Sequence, residues 1–167
     1  MPAPRAQSPT DADDLVRRFR AVRDATEALA APLSPEDQQL QSMPACSPTK
    51  WHRAHTTWFF EEFVLGPHGV AAHDPSYRYL FNSYYDAVGP RHPRPHRAML
   101  SRPSCDAIAD YRRAVDDRVC ALLRALAPPA LDALVKRGGL GLTAAETDNL
   151  KAQRRDLRAL TDYAPNW

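Results

Sequence analysis

The chain has 167 residues, which fits one ordinary domain, and its 22 basic and 20 acidic side chains leave a net charge of +2 that gives no general electrostatic reason to bind nucleic acid. No stretch approaches the ~20 consecutive apolar residues of a membrane-spanning helix, and the N-terminus lacks the apolar core of a secretory signal, so we expect a cytoplasmic location and no membrane partner. Three cysteines without CxxC spacing argue against a disulfide framework and a zinc ribbon.

The first predicted element is an amphipathic helix. Residues 1–10 are mostly proline, alanine and polar residues, and they predict a disordered lead that ends at Thr10 or Asp11, either of which can cap a helix. The helix then runs to about Ala31. Its predicted buried face carries side chains at alternating spacings of three and four: Leu15, Phe19, Val22, Thr26 and Leu29. The proline-interrupted segment that follows, residues 33–48, allows a short helical turn at most.

A second long helix is predicted from Ser47 to Gly66, with Pro48 at its first position and Gly66 in a left-handed cap. One short helix is expected around residues 77–88. The next segment, "GPRHPRPHRAMLSRP" (residues 89–103), contains too many prolines for regular structure and predicts an extended loop.

A third long helix is predicted to open at Ser104 and to end near Ala127. The final helical region, residues 130–160, is interrupted by "RGGLGL" and restarts at a possible capping box of Thr143 and Glu146. No alternating strand pattern occurs, so the sequence predicts an all-α bundle over residues 11–160, with 161–167 as a tail. A distorted fourth helix would leave apolar surface bare and favour self-association.

The second helix contains two histidines, in "KWHRAHTTWFFEEF". Residues three and four apart share a helix face, so His55 projects together with Trp51 and Trp58, while His52 flanks that face. An imidazole in such a position can ligate a metal or satisfy a buried hydrogen bond. One helix supplies at most two of the three or more ligands that a site needs, so the residues alone favour the structural use.

The other four histidines lie in the connecting region: His68, His73, His92 and His96. The last two accompany three arginines of the proline-rich loop, Arg91, Arg94 and Arg97. This basic loop is compatible with two uses, a solvated surface and an anion-binding lid.

The segment "SPTKWHRAHTTWFFEEFVL" carries a family resemblance. Together with "LSPEDQQLQSMP" before it and "YLFNSYYDAVGPRHPRPHRAMLSRP" after it, it resembles the N-terminal part of the ergothioneine biosynthesis protein EgtB family, the iron-dependent sulfoxide synthases, over residues 33–127. The resemblance implies a DinB-like up-and-down four-helix bundle, here with a long proline-rich connecting loop. The family's C-terminal sulfatase-modifying-factor-like domain is expected to be absent, because the chain ends at Trp167.

The resemblance also implies an Fe(II) site of three histidines and O2-dependent formation of a carbon–sulfur bond. Its small-molecule partners would be hercynine and a cysteine or γ-glutamylcysteine donor. His55 corresponds to the first iron ligand. Arg91 and Arg94 are our candidates for holding the donor's carboxylate, because a guanidinium matches a carboxylate bidentately. No catalytic residue is assigned.

In the family, the other two ligands follow an "LGL" motif in an HExQH-type pattern. Here "LGL" is followed by "TAAETDNLKAQRRDL", which places Ala144 and Asp148 near the expected histidine positions. We therefore expect the chain alone to bind Fe(II) weakly or not at all and to be inactive. From Thr143 onward the sequence departs abruptly from the family pattern. A frameshifted or truncated gene is the simplest explanation of that departure. The alternatives are a metal-free interaction module or remnant, and a thiol-handling transferase of the DinB-like superfamily.

Overall fold

The computed structural model describes residues 11–136, and every structural statement below refers to that range. The described range contains helices and no strand. The α-helices are α1 (Ala12–Ala30), α2 (Pro35–Gln39), α3 (Thr49–Phe60), α4 (Tyr77–Phe81), α5 (Cys105–Ala125) and α6 (Pro128–Lys136). This confirms the all-α prediction. The predictions for residues 1–10, for the Thr143 and Glu146 capping box and for the tail lie outside the described residues.

Helix α1 begins where the sequence predicts, because the Asp11 side chain accepts a hydrogen bond from the Asp13 amide at 3.0 Å. Leu15 and Phe19 are buried as expected. Val22 is 52 % exposed, so its predicted burial was wrong. Arg23 takes the inward position instead, because its guanidinium finds polar partners on α3 and α5.

Helix α3 starts at Thr49 with Pro48 as its N-cap, one position later than predicted. Beyond Phe60 it continues as a π-helical turn, Glu61–Leu65, and a 3-10 turn, Gly66–His68. The predicted left-handed cap at Gly66 was wrong, since its φ is −53°. The chain makes a further turn in which the Gly69 amide donates to the Gly66 carbonyl, and Gly69, at φ 76°, takes the left-handed conformation.

The segment between α3 and α5 differs from its prediction in two places. Helix α4 ends at Phe81, short of residue 88, because the buried Asn82 side chain bonds the Tyr85 amide and the Tyr85 and Gly89 carbonyls in place of helical partners. The proline-rich loop is not wholly extended, since Arg94–Met99 forms a 3-10 helix. The loop therefore turns back over the bundle.

Helix α5 forms the centre of the core. Its cap is Ser104, whose hydroxyl accepts from the Ala107 amide at 3.1 Å. The side chains of its inner face are fully buried: Ile108, Tyr111, Val115, Val119 and Leu123. No helix in the described range is long and apolar enough to cross a membrane.

An ionic network, buried except for the half-exposed Glu27, joins α1, α3 and α5, and we name it the inter-helix network. From α1, Arg23 donates to Asp116 of α5 at 2.8 Å and to Thr57 of α3 at 2.7 Å. The Glu27 carboxylate of α1 forms ion pairs with the Arg53 guanidinium of α3 at 2.6 Å and with the Arg112 guanidinium of α5 at 2.5 Å. Each of the three helices is therefore tied to the other two by charged side chains.

We predict that Asp116→Asn destabilises the fold, because it leaves the Arg23 guanidinium buried without its counter-charge. The expected loss of unfolding free energy is about 3–5 kcal/mol, the range for breaking one partner of a buried ion pair. Urea unfolding followed by circular dichroism would measure it.

The matched control is Asp117→Asn, one residue along α5, which removes an exposed ion pair with Arg20. Exposed pairs contribute about 0–1 kcal/mol, so this variant should unfold close to the unmodified protein. Equal losses for the two variants would contradict the role given to the network.

Candidate functional site

The His55 imidazole lies inside the bundle between two tryptophans. It is 5 % exposed. Its ring stacks on Trp51 with centroids 4.8 Å apart and planes 11° from parallel, and on Trp58 at 5.8 Å and 25°. His55 thus points inward, as the face that it shares with the two tryptophans predicts.

One hydrogen bond sets the His55 tautomer. Nδ1 lies 2.7 Å from the Phe81 carbonyl oxygen, which can only accept, so Nδ1 carries the hydrogen. Burial, reinforced by the charge of Arg97, lowers the pKa of His55 to about 4, and the ring is neutral at pH 7. A neutral ring with its proton on Nδ1 keeps a lone pair on Nε2. Metal-binding histidines commonly have this arrangement, with the other ring nitrogen donating to a carbonyl.

The short helix α4 supplies the acceptors that orient this face of α3. The last carbonyls of a helix have no partner within it, and the chain leaves helical geometry at Asn82. The Leu80 carbonyl accepts from Trp51 Nε1 at 2.9 Å, and the Phe81 carbonyl accepts from His55. Two side chains one helical turn apart on α3 are therefore held by two consecutive carbonyls of α4.

His52 lies beside this face and close to the basic loop. Its ring packs edge-on against Trp51 at 5.6 Å. Burial, together with the nearby His55, Arg97 and Arg94, lowers its pKa to about 3. Its Nδ1 is buried and has no hydrogen-bond partner among residues 11–136. His52 is thus neutral and sits next to the loop, where sequence reasoning expected it.

The three loop arginines have different environments. Arg91 is exposed and pairs with Asp86 at 3.1 Å, and the side chain of Arg94 is also exposed. Arg97 is 2 % exposed, and its guanidinium carbon lies 3.4 Å from the centroid of the Trp51 ring. The carboxylate-binding role of Arg91 and Arg94 stays a prediction.

Sequence reasoning did not distinguish Arg97 from its neighbours, and no local signal could have done so. Its burial depends on Trp51 and on Ser47, whose hydroxyl accepts from Nη1 at 2.7 Å across 50 positions of sequence. Such a contact exists only after the loop has folded over α3.

A second polar feature that sequence reasoning missed is the buried Glu61, at the start of the π-helical turn. One carboxylate oxygen accepts from the Tyr111 hydroxyl and the other from the His73 amide, both at 2.7 Å. Burial, with Glu61 beside it, raises the pKa of Tyr111. Both oxygens are engaged, so Glu61 fastens the His73 loop to α3 and α5.

The described residues do not form a complete metal site. Among residues 11–136, no three side chains of histidine, cysteine, aspartate or glutamate are placed to hold one metal ion together. His55 has the tautomer and orientation of a ligand, but the described range adds no partner ligands to it. Ala144 and Asp148, the positions where the family resemblance implies two more ligands, lie outside the described residues.

The two neutral histidines should make stability depend on pH. In the unfolded chain a histidine has a pKa of about 6.5, so between about pH 6.5 and 4 the unfolded state binds more protons than the folded state. The free energy of unfolding should therefore fall as pH falls through this window. Replacing His55 by glutamine should flatten the decline, as measured by urea unfolding at a series of pH values.

His96→Gln is the matched control, because the His96 side chain is exposed. If His55→Gln and His96→Gln show the same slope as the unmodified protein, the burial of a neutral His55 is contradicted.

A comparison with known families places this site in context. The DinB superfamily model matches residues 18–147, which include most of α1 and all of the later helices within residues 11–136. A search of curated proteins found no significant match. The family match covers more than three quarters of the 167 residues. This chain, whose buried His55 lies on the second long helix of the bundle, belongs to the DinB superfamily.

Proposed function

We propose that the chain is the helical bundle of an iron-dependent sulfoxide synthase of ergothioneine biosynthesis, in which His55 is one ligand of Fe(II). The observation that carries the proposal is the bond from His55 Nδ1 to the Phe81 carbonyl, which leaves the Nε2 lone pair for a metal. The resemblance over residues 33–127 supports the specific family. The proposed reaction joins hercynine to the sulfur of cysteine or γ-glutamylcysteine with O2 as oxidant.

The position of the basic loop supports a role in substrate binding next to His55. The charge of Arg94 lowers the pKa of His52 and of Arg97, so the loop lies close to the His55 face. Arg91 and Arg94 have exposed guanidinium groups that can reach an incoming ligand. We propose that they hold the carboxylate of the sulfur donor, for which their bidentate geometry is suited.

A metal-free bundle that acts as an interaction module is the second candidate. It is favoured by one observation, the lack of partner ligands around His55 within residues 11–136. In that case the bond to Phe81 serves only to satisfy a buried imidazole. The two candidates differ in whether His55 can bind a metal once partner ligands are provided.

Iron affinity should therefore depend on ligands that can be added. We expect the unmodified chain to bind Fe(II) weakly, and the double variant Ala144→His with Asp148→His to bind at least about tenfold more tightly, which is 1.4 kcal/mol. Anaerobic titration of Fe(II) against a competing chelator would measure the change.

His55→Ala in the double-variant background should abolish the gain, whereas His68→Ala, at an exposed position, should preserve it. A gain that survives His55→Ala would show that His55 is not a ligand and would favour the metal-free module.

We expect no sulfoxide product from the unmodified chain with hercynine, a cysteine donor, Fe(II) and air. Iron held by one imidazole is not fixed in position, and positioning can supply ~7–11 kcal/mol of a reaction barrier. Chromatography with mass detection would test this. Product that forms in proportion to protein and disappears in His55→Ala would contradict the expectation while supporting His55 as a ligand.

A further inference from the structure

Arg97 differs from the other buried arginines of the described range in its partners. Arg23 pairs with Asp116, and both Arg53 and Arg112 pair with Glu27. Arg97 is as buried as these three, yet no carboxylate within residues 11–136 forms an ion pair with it. A buried guanidinium without a counter-charge is unfavourable, because burial removes hydration that the Ser47 hydroxyl and the Trp51 ring replace only in part.

One edge of the Arg97 guanidinium has no hydrogen-bond partner among residues 11–136. Nη1 donates to the Ser47 hydroxyl at 2.7 Å. Nε is buried without a partner among the described residues, and Nη2 makes no hydrogen bond within them either. The N–H groups of Nε and Nη2 point in parallel directions, and their spacing matches the two oxygens of a carboxylate. The free edge is therefore a bidentate donor pair.

The surroundings of this edge are rigid and electropositive. The Trp51 ring lies against the guanidinium and fixes its plane. Burial lowers the pKa of Arg97 to about 9, and the charges that add to this effect, Arg94 and Arg91, are both positive. An anion would therefore be stabilised at this edge.

We propose that the Nε–Nη2 edge of Arg97 binds the carboxylate of a small molecule against the Trp51 ring. A small ligand is required because the side chain is almost wholly buried. A carboxylate is favoured over a phosphate because one guanidinium edge offers two coplanar donors and a single positive charge. This site is distinct from the exposed Arg91 and Arg94 and requires no metal, so it does not depend on the proposed sulfoxide synthase activity.

The experiment is a titration of the metal-free full chain with sodium acetate, against sodium chloride at equal ionic strength. The Arg97 Nε–H resonance, assigned by its loss in Arg97→Met, should shift saturably with acetate and not with chloride. Tryptophan emission should follow the same isotherm, because the guanidinium contacts Trp51.

Arg97→Met should weaken acetate binding at least about tenfold as measured by that emission. Arg113→Met is the matched control, since Arg113 is exposed and pairs with Asp110 one turn away on α5. This control should bind acetate as the unmodified chain does.

If Arg97→Met folds poorly, the test still rests on the Arg97 Nε–H resonance of the unmodified protein. That resonance can be assigned by backbone connectivity through the amide of the next residue, Ala98. A Nε–H signal that does not respond to acetate would overturn the proposal and would mean that the edge is closed to small ligands. Phosphate that binds more tightly than acetate would overturn the assignment to a carboxylate. None of these outcomes bears on iron, so failure here leaves the proposed function untouched.

Discussion

The inter-helix network is the constraint on which the arrangement of the bundle depends. Five charged side chains lie between three helices, and each is paired with a group of opposite sign. They are Arg23, Glu27, Arg53, Arg112 and Asp116. The Arg23–Asp116 pair tolerates little displacement, because breaking it leaves a buried ion without water or counter-ion. These pairs are compatible with the rotation of α3 that directs Trp51 and His55 to α4 and the basic loop.

The candidate site follows from that orientation. With α3 held in register, Trp51 and His55 face the end of α4, whose last two carbonyls would otherwise lack partners. The requirement to satisfy those carbonyls and the requirement to satisfy a buried indole and imidazole are met together. A consequence for chemistry is that the His55 nitrogen without a hydrogen is Nε2, which takes no part in the bond to Phe81.

The basic loop packs against the same face of α3 and is held there by hydrogen bonds to Gln41. Gln41 donates to the Arg94 carbonyl and accepts from the Ala98 amide, so the segment after α2 holds the 3-10 helix in place. The anchored loop places the Arg97 guanidinium against the Trp51 ring. No carboxylate in the described range forms an ion pair with it. In the inter-helix network each buried arginine has an acidic partner, whereas Arg97 has none within residues 11–136. The proposed carboxylate ligand would supply that counter-charge.

Local sequence determined the helical class, the caps at Asp11 and Ser104 and the inward face of His55, because caps and periodicity depend on residues within one or two turns. Tertiary structure alone decided three features. Arg23 and not Val22 is buried, since its partners lie on other helices. The partners of the last two α4 carbonyls and the burial of Arg97 likewise depend on contacts distant in sequence, with Trp51 among the partners of both. Spacing along the chain reports which side chains share a face, but the charge and hydrogen-bond partners that such a face meets are set only when the elements pack.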